Sequence, residues 1–202
     1  MKTVFALVTQ CLQKLNRRIG RWWRWRIRPH LVAARPYWHR IKFLLHCFKF
    51  EQFGNRCALA GPVKILGTPR IYLGNHVAFR SHITIGGHGV LEIDDHAVIN
   101  DNCIISAYKH IKIGKNVMLA PFVYILDIDH AFTDKQTPIS QQGYKTARVV
   151  IEDGVWIGTQ SVITRGVTIG QNSIIAANSV VTRDIPPDSI AAGSPAVVIR
   201  PR

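Results

Sequence analysis

An aliphatic residue recurs at every sixth position along much of this chain, and few folds accept that period. Ile113, Leu119 and Ile125 form one run, and Ile151, Ile157, Ile163, Ile169, Ile175 and Val181 form another. Four residues after these leads stand Val117, Val123, Asp129, Val155, Ser161, Val167, Ser173, Ser179 and Ile185, all small or β-branched except Asp129. An amphipathic helix repeats at about 3.6 residues and a half-buried strand at about 2. A period of six, with Gly114, Gly158 and Gly170 directly after leads, gives short strands joined by tight corners. Three hexads then close one triangular coil, coils stack about 4.8 Å apart, and each coil covers the edge of the one before it. The expected fold is therefore mainly β, a parallel β-helix around a column of aliphatic side chains.

Earlier coils keep the column with a longer count. Leu73, Ile93 and Ile113 lead segments twenty residues apart, consistent with two-residue corner expansions such as Gly86-Gly87. Residues 131–148 read as an excursion from one corner, and Val149-Val150-Ile151 rejoins the column. The β-helix domain is expected over 51–190, followed by a tail over 191–202.

Residues 1–50 are of another kind. The chain carries a net charge of +14, yet twelve Lys or Arg and no acid fall in this segment, so the other 152 residues net only +2. Trp22, Trp23, Trp25 and Trp38 lie there, interleaved with arginines from Arg17 to Arg28. The composition suits helices up to Pro29 and again from about Tyr37. Indoles beside arginines suit a membrane interface with anionic lipid; packing on the body or on a sister subunit is the plainer reading. No nucleic-acid recognition motif accompanies the basic residues, so no nucleic-acid partner is expected. The run after Lys2 is too short to span a bilayer and lacks a small-x-small cleavage pattern. Cys11, Cys47, Cys57 and Cys103 form no CxxC pair. They read as incidental thiols of a reduced, cytoplasmic chain, peripheral at most on the inner face of the membrane.

Residues 149–202, from VVIEDGVWIG to SPAVVIRPR, resemble the C-terminal half of the hexapeptide-repeat acyltransferases, close to the maltose and galactoside acetyltransferase pattern. The DHAFTD stretch, the loop after it and WIG most resemble the bacterial polysaccharide O-acetyltransferases. The resemblance covers about residues 65–202. It implies a left-handed parallel β-helix, a homotrimer, and an acetyl-CoA cleft between neighbouring subunits. It also implies transfer of acetyl to a saccharide hydroxyl on an exopolysaccharide, O-antigen or lipid-linked glycan precursor.

Such a transfer needs a base for the hydroxyl proton, a held acceptor oxygen, and donors for the developing oxyanion. Imidazole suits the first task, because it titrates near neutrality. His130 breaks the hexad pattern at the edge of the excursion, and by resemblance it occupies the family's catalytic position. Asp127, Asp129 and Asp134 are candidates to orient it, or else to organise the corner. Adjacent strand residues point to opposite sides, which counts against Asp129; Asp134 would have to fold back from the loop.

By resemblance, Asn100 matches an acceptor-site asparagine, with Asn102 a weaker match. Thr159 and Ala177 match positions that contact pantetheine through the backbone. Thr182, Arg183 and Arg200 match positions near the adenosine and its phosphates; arginine at 183 replaces a lysine common there. Trp156 reads either as a wall of the thioester pocket, sharing a cleft with His130, or as a cap on the aliphatic column.

A zinc enzyme on this scaffold would need three converging histidines. His76, His82 and His88 are six apart and so fall on different corners, while His76 and His96, twenty apart, are expected to stack. No metal is expected. Competing readings are acetyl transfer to a small molecule, such as a free sugar, an amino sugar or a xenobiotic, and a trimeric scaffold without catalysis.

Overall fold

The structure is a computed structural model that describes residues 49–202; the basic, tryptophan-rich expectation for 1–50 lies almost wholly outside them. Three parallel sheets wrap around one column. The first face stacks Gln52–Phe53, Arg70–Leu73, Val90–Ile93, His110–Ile113, Val149–Ile151 and Thr168–Ile169. The second face runs from Ala58–Leu59 through Met118–Leu119 and Trp156–Ile157 to Ser189–Gly193. The third runs from Val63–Gly67 through Ile104–Ala107 and Tyr124–Leu126 to Val180–Val181. This is the β-helix that the six-residue period predicts.

Register follows the repeat. Leu73 stands opposite Ile93, Ile93 opposite Ile113, and Ile113 opposite Ile151. Every six-residue lead from Ile113 to Val181 is fully buried, at about 1.5–3 kcal/mol per side chain relative to exposure. The residues four after each lead are buried too, apart from Asp129. Where that slot holds serine, the hydroxyl is satisfied: Ser161 and Ser179 both donate to the Ala176 carbonyl, and Ser173 donates to that of Pro186.

Corners need the left-handed backbone region, which Asn and His enter more readily than most residues. Between the first and second faces it is taken by Arg56, His76, His96, Asn116, Gly154 and Asn172. Between the second and third it is taken by His82, Asn102, Phe122, Gln160 and Asn178, with φ between 59° and 63°. His76 and His96 stack with ring centroids 4.6 Å apart, as their spacing predicts, while His82 belongs to the next corner. Gly87 sits between the third and first faces with φ 118°, where a Cβ would run into the Ala107 carbonyl.

Two boundaries differ from the sequence expectation. The excursion is not confined to 131–148: it starts where the chain leaves the column after Asp127, and an antiparallel hairpin pairs Ile128–His130 with Tyr144–Thr146. The tail expected over 191–202 continues the second face. Ser189–Gly193 turns at Ser194-Pro195 into Ala196–Pro201, which pairs antiparallel with it and ends the second face.

Candidate functional site

His130 is carried by that hairpin, and the hairpin's base is tied to the column. The Asp127 carbonyl accepts the Ala147 amide at 3.0 Å, and the Ala147 carbonyl in turn accepts the Gly166 amide. Asp127 itself is fully buried. One of its carboxylate oxygens accepts the Tyr108 amide at 2.7 Å; the other accepts those of Lys109 and His110 at 2.8 and 2.7 Å. The carboxylate is thereby spent on the turn of the coil beneath and does not reach the imidazole.

The other two acids are also engaged elsewhere. Asp129 does not fill the inward slot that the hexad count gives it, because the chain has already left the column; its carboxylate meets Arg165 Nε at 3.0 Å. Asp134 does not fold back. It accepts the Thr137 hydroxyl at 2.6 Å and the Gln136 amide at 2.8 Å, and the Gln142 side-chain amide bridges its backbone to that of Thr137. The Thr137 hydroxyl first, and then the Gln136 amide, hold the Asp134 carboxyl below its usual range. What touches the imidazole is Tyr144, its partner across the hairpin, with ring centroids 4.6 Å apart. Among the described residues the exposed His130 ring makes no hydrogen bond.

The remaining candidates fall on separate edges. Asn100, Asn102, Thr159 and Ala177 lie on the corner between the second and third faces. Asn100 donates its side-chain amide to the Leu119 carbonyl at 2.6 Å, and the Thr159 hydroxyl donates to that of Pro121 at 2.7 Å. Ala177 is exposed. The hairpin, Arg165, Thr182 and Arg183 lie at the other end of the third face, toward the first; Thr182 and Arg183 are exposed there. Within one chain, His130 and Asn100 therefore stand at opposite ends of a face.

Trp156 lies on neither edge. It is on the second face in register with Met118 and Ile174, 46% exposed and pointing outward, while Ile157 fills the column. It does not cap the core, and the first-face strand Val149–Ile151 separates it from the hairpin, so the two share no cleft in a single chain. Arg200 is exposed on the last strand, opposite Ile190. Among the described residues no three His, Cys, Asp or Glu converge as a metal site would require, and no helix is long and apolar enough to cross a membrane.

Two contacts escaped sequence reasoning. Arg165 stands 36 residues beyond Asp129, and only the stacking of coils brings them together. Tyr144 lies in a segment without periodicity, and its pairing depends on the hairpin register.

Residues 148–183 match the family pattern described as bacterial transferase hexapeptide (six repeats). A probable acetyltransferase of Mycobacterium tuberculosis is 34% identical over 170 residues, covering 82% of this chain and 56% of that protein. The galactoside O-acetyltransferase of Escherichia coli is 33% identical over 156 residues, covering 75% of this chain and 64% of that one. The crystal structure of a maltose O-acetyltransferase from Clostridium difficile superposes with a TM-score of 0.50 at 32% identity, covering 75% of this chain and 67% of that chain. The chain thus spans between about half and two thirds of the length of these curated relatives.

Proposed function

The chain belongs to the hexapeptide-repeat transferases, and from that premise we propose that it is an acetyl-CoA-dependent O-acetyltransferase of a saccharide hydroxyl, with His130 as general base. The observation that carries this reading is the exposed imidazole on a hairpin projecting from an otherwise regular column. In the proposed reaction the imidazole takes the proton of the acceptor hydroxyl as its oxygen attacks the thioester carbonyl. The tetrahedral intermediate collapses, the carbon–sulfur bond breaks, and the departing thiolate recovers the proton. A placed base of this kind contributes about 10²–10⁴-fold.

The active unit in this reading is a homotrimer. Support comes from the separation of His130 and Asn100 to opposite ends of one face: a site using both takes one residue from each of two copies. The outward side of the second face supplies an apolar surface for such packing, with Val98, Met118, Trp156 and Ile174 in one ladder. Trp156 then lines the site from a neighbouring copy. Acetyl-CoA lies along the Thr159 and Ala177 corner, with Thr182, Arg183 and Arg200 toward its adenosine and phosphates. Galactoside and maltose O-acetyltransferases among the relatives support a sugar hydroxyl as acceptor. The basic segment 1–50 is proposed to hold the enzyme on an anionic cytoplasmic membrane surface, where lipid-linked glycans are presented. No metal takes part.

The test is thiol release from acetyl-CoA against a panel of free glycans and lipid-linked oligosaccharides, for the wild type and His130→Ala. Glycan-dependent release that drops at least about a hundredfold in the variant, with acetyl-CoA affinity retained, is the expected result. Undiminished turnover by His130→Ala would overturn the assignment of the base.

A further inference from the structure

In the coils below the hairpin, the corner between the third and first faces is laced by backbone amides and carbonyls, with the Thr68 hydroxyl also meeting His88 Nδ1 at 3.1 Å. The Gly87 carbonyl accepts the Thr68 amide and the Gly89 carbonyl accepts that of Arg70; one coil further, the Ala107 carbonyl accepts the Gly89 amide and the Lys109 carbonyl accepts that of Val90. Register places Gly87 opposite Ala107, and Leu126 opposite Ser106, so Asp127 is the next residue in this stack. There the pattern fails. The chain leaves as a hairpin, and the Asp127 carbonyl turns to Ala147 instead. Three successive amides, those of Tyr108, Lys109 and His110, are left without the backbone carbonyls that take two of the corresponding amides in each coil beneath. The Asp127 carboxylate takes all three.

A buried carboxylate is costly unless its oxygens are satisfied, and hydrogen bonds to an ionised acceptor are roughly twice as strong as neutral ones. Asp127 thus replaces, with one side chain, the backbone ladder that the hairpin interrupts. On the other side of the hairpin, Asp129 is held by Arg165 from the following coil. The strand Ile128–His130 is fixed from two coils at once, and His130 is three residues from the lower anchor.

Resting on the reading of His130 as base, we propose that Asp127 and Arg165 are positioning residues for its imidazole. Asp127 staples the hairpin to the coil beneath and Arg165, through Asp129, to the coil above, so the column itself aims the ring. Neither touches the reacting atoms. Asp129 then serves the base as the hairpin's half of a clamp, not as a carboxylate on the imidazole.

The experiment compares Asp127→Asn and Arg165→Gln, each in the wild-type and His130→Ala backgrounds. The readouts are kcat, acetyl-CoA affinity, oligomeric state and hydrogen exchange over 128–146. Asparagine leaves one acceptor oxygen and turns an amide donor toward amide donors. The expected result is a fall in kcat of about ten- to a hundredfold for Asp127→Asn, the range that small misplacements of a catalytic group produce. The fall for Arg165→Gln is smaller. In both, acetyl-CoA affinity and oligomeric state are unchanged and exchange over 128–146 is faster. In the His130→Ala background neither substitution lowers the residual rate further, since coupled residues are non-additive. Wild-type kcat despite faster hairpin exchange overturns the proposal. So does a loss that multiplies equally in both backgrounds together with weakened acetyl-CoA binding, which marks damage to the fold. Should Asp127→Asn not assemble, Arg165→Gln decides, because its half-buried pair with Asp129 leaves the Asp127 carboxylate intact. Full turnover by His130→Ala alone would instead retire the base, a result separable from any of these.

Discussion

His130 and Tyr144 face one another across an antiparallel hairpin, ring centroids 4.6 Å apart and planes tilted by 42°. With Asp127, Asp129 and Asp134 all engaged elsewhere, this ring contact is the direct restraint on the imidazole within the described residues. Aromatic pairs contribute about 0.5–1.5 kcal/mol beyond their buried area. Tyr144→Ala is expected to lower kcat by roughly two- to tenfold with little change in acetyl-CoA affinity, and Tyr144→Phe to keep the wild-type rate, because the ring and not the phenol makes the contact. Steady-state kinetics of the two variants checks it; a large loss in Tyr144→Phe would give the hydroxyl a role of its own.

Phe122 occupies a left-handed corner position, φ 63°, that Asn102 and Asn178 fill in other coils. A bulky residue there costs about 1–2 kcal/mol that asparagine largely avoids, and the ring is 55% exposed, so burial does not offset the strain. Phe122→Asn is expected to stabilise the protein by about 1 kcal/mol, raising the thermal midpoint by roughly 2–4 °C. Retained strain points to function, and Phe122 shares its corner with Asn102 and Thr159. The same variant is therefore expected to lose kcat/KM for the acceptor. A higher midpoint with unchanged kcat/KM would show that the strain serves no catalytic purpose.

The column was legible in the sequence because each of its positions is fixed by burial, and burial at a period of six leaves a written record from Ile113 to Val181. The left-handed corners were half legible: Asn and His mark them, but Phe122 does not. His130 was legible because it interrupts the record. The roles of the acids were not. Asp127 sits at the residue where the count stops, so nothing in the spacing tells whether its carboxylate faces the core or the solvent. Asp129 was assigned to an inward slot by extending the period two residues past the point where the chain abandons it. Its partner Arg165 comes from a later coil, a contact that depends on how the chain re-enters the column after an aperiodic loop.

Asp134 gives a pH dependence whose sign is fixed. Its carboxyl is held below the ordinary value of 3.8, chiefly by the Thr137 hydroxyl and then by the Gln136 amide. A depressed folded value means that the stabilisation is complete above the unfolded pKa and is lost as pH falls through the folded one. The loop from Asp134 to Gln142 is therefore expected to open as the pH falls below the ordinary carboxyl value of 3.8. Hydrogen exchange of residues 134–142 against pH tests this. Asp134→Asn is expected to show open-loop exchange already at neutral pH, with no further acid-induced change in the loop.

The placement of His130 and Asn100 at opposite ends of the third face makes a prediction about mixtures. If each site takes its base from one copy and its amide from the next, His130→Ala and Asn100→Ala are each inactive alone. A mixed cyclic trimer has three junctions. Whichever variant is in the majority, one of the three joins an intact histidine to an intact asparagine. Co-expression at equal levels gives mixed assemblies in about three quarters of trimers, with one intact site in three, so about a quarter of wild-type activity returns. The measurement is thiol release by the co-expressed, co-purified mixture beside each variant alone. A site built within a single copy would return nothing, because no chain in the mixture carries both residues, and that outcome would confine the acceptor to one edge of one chain.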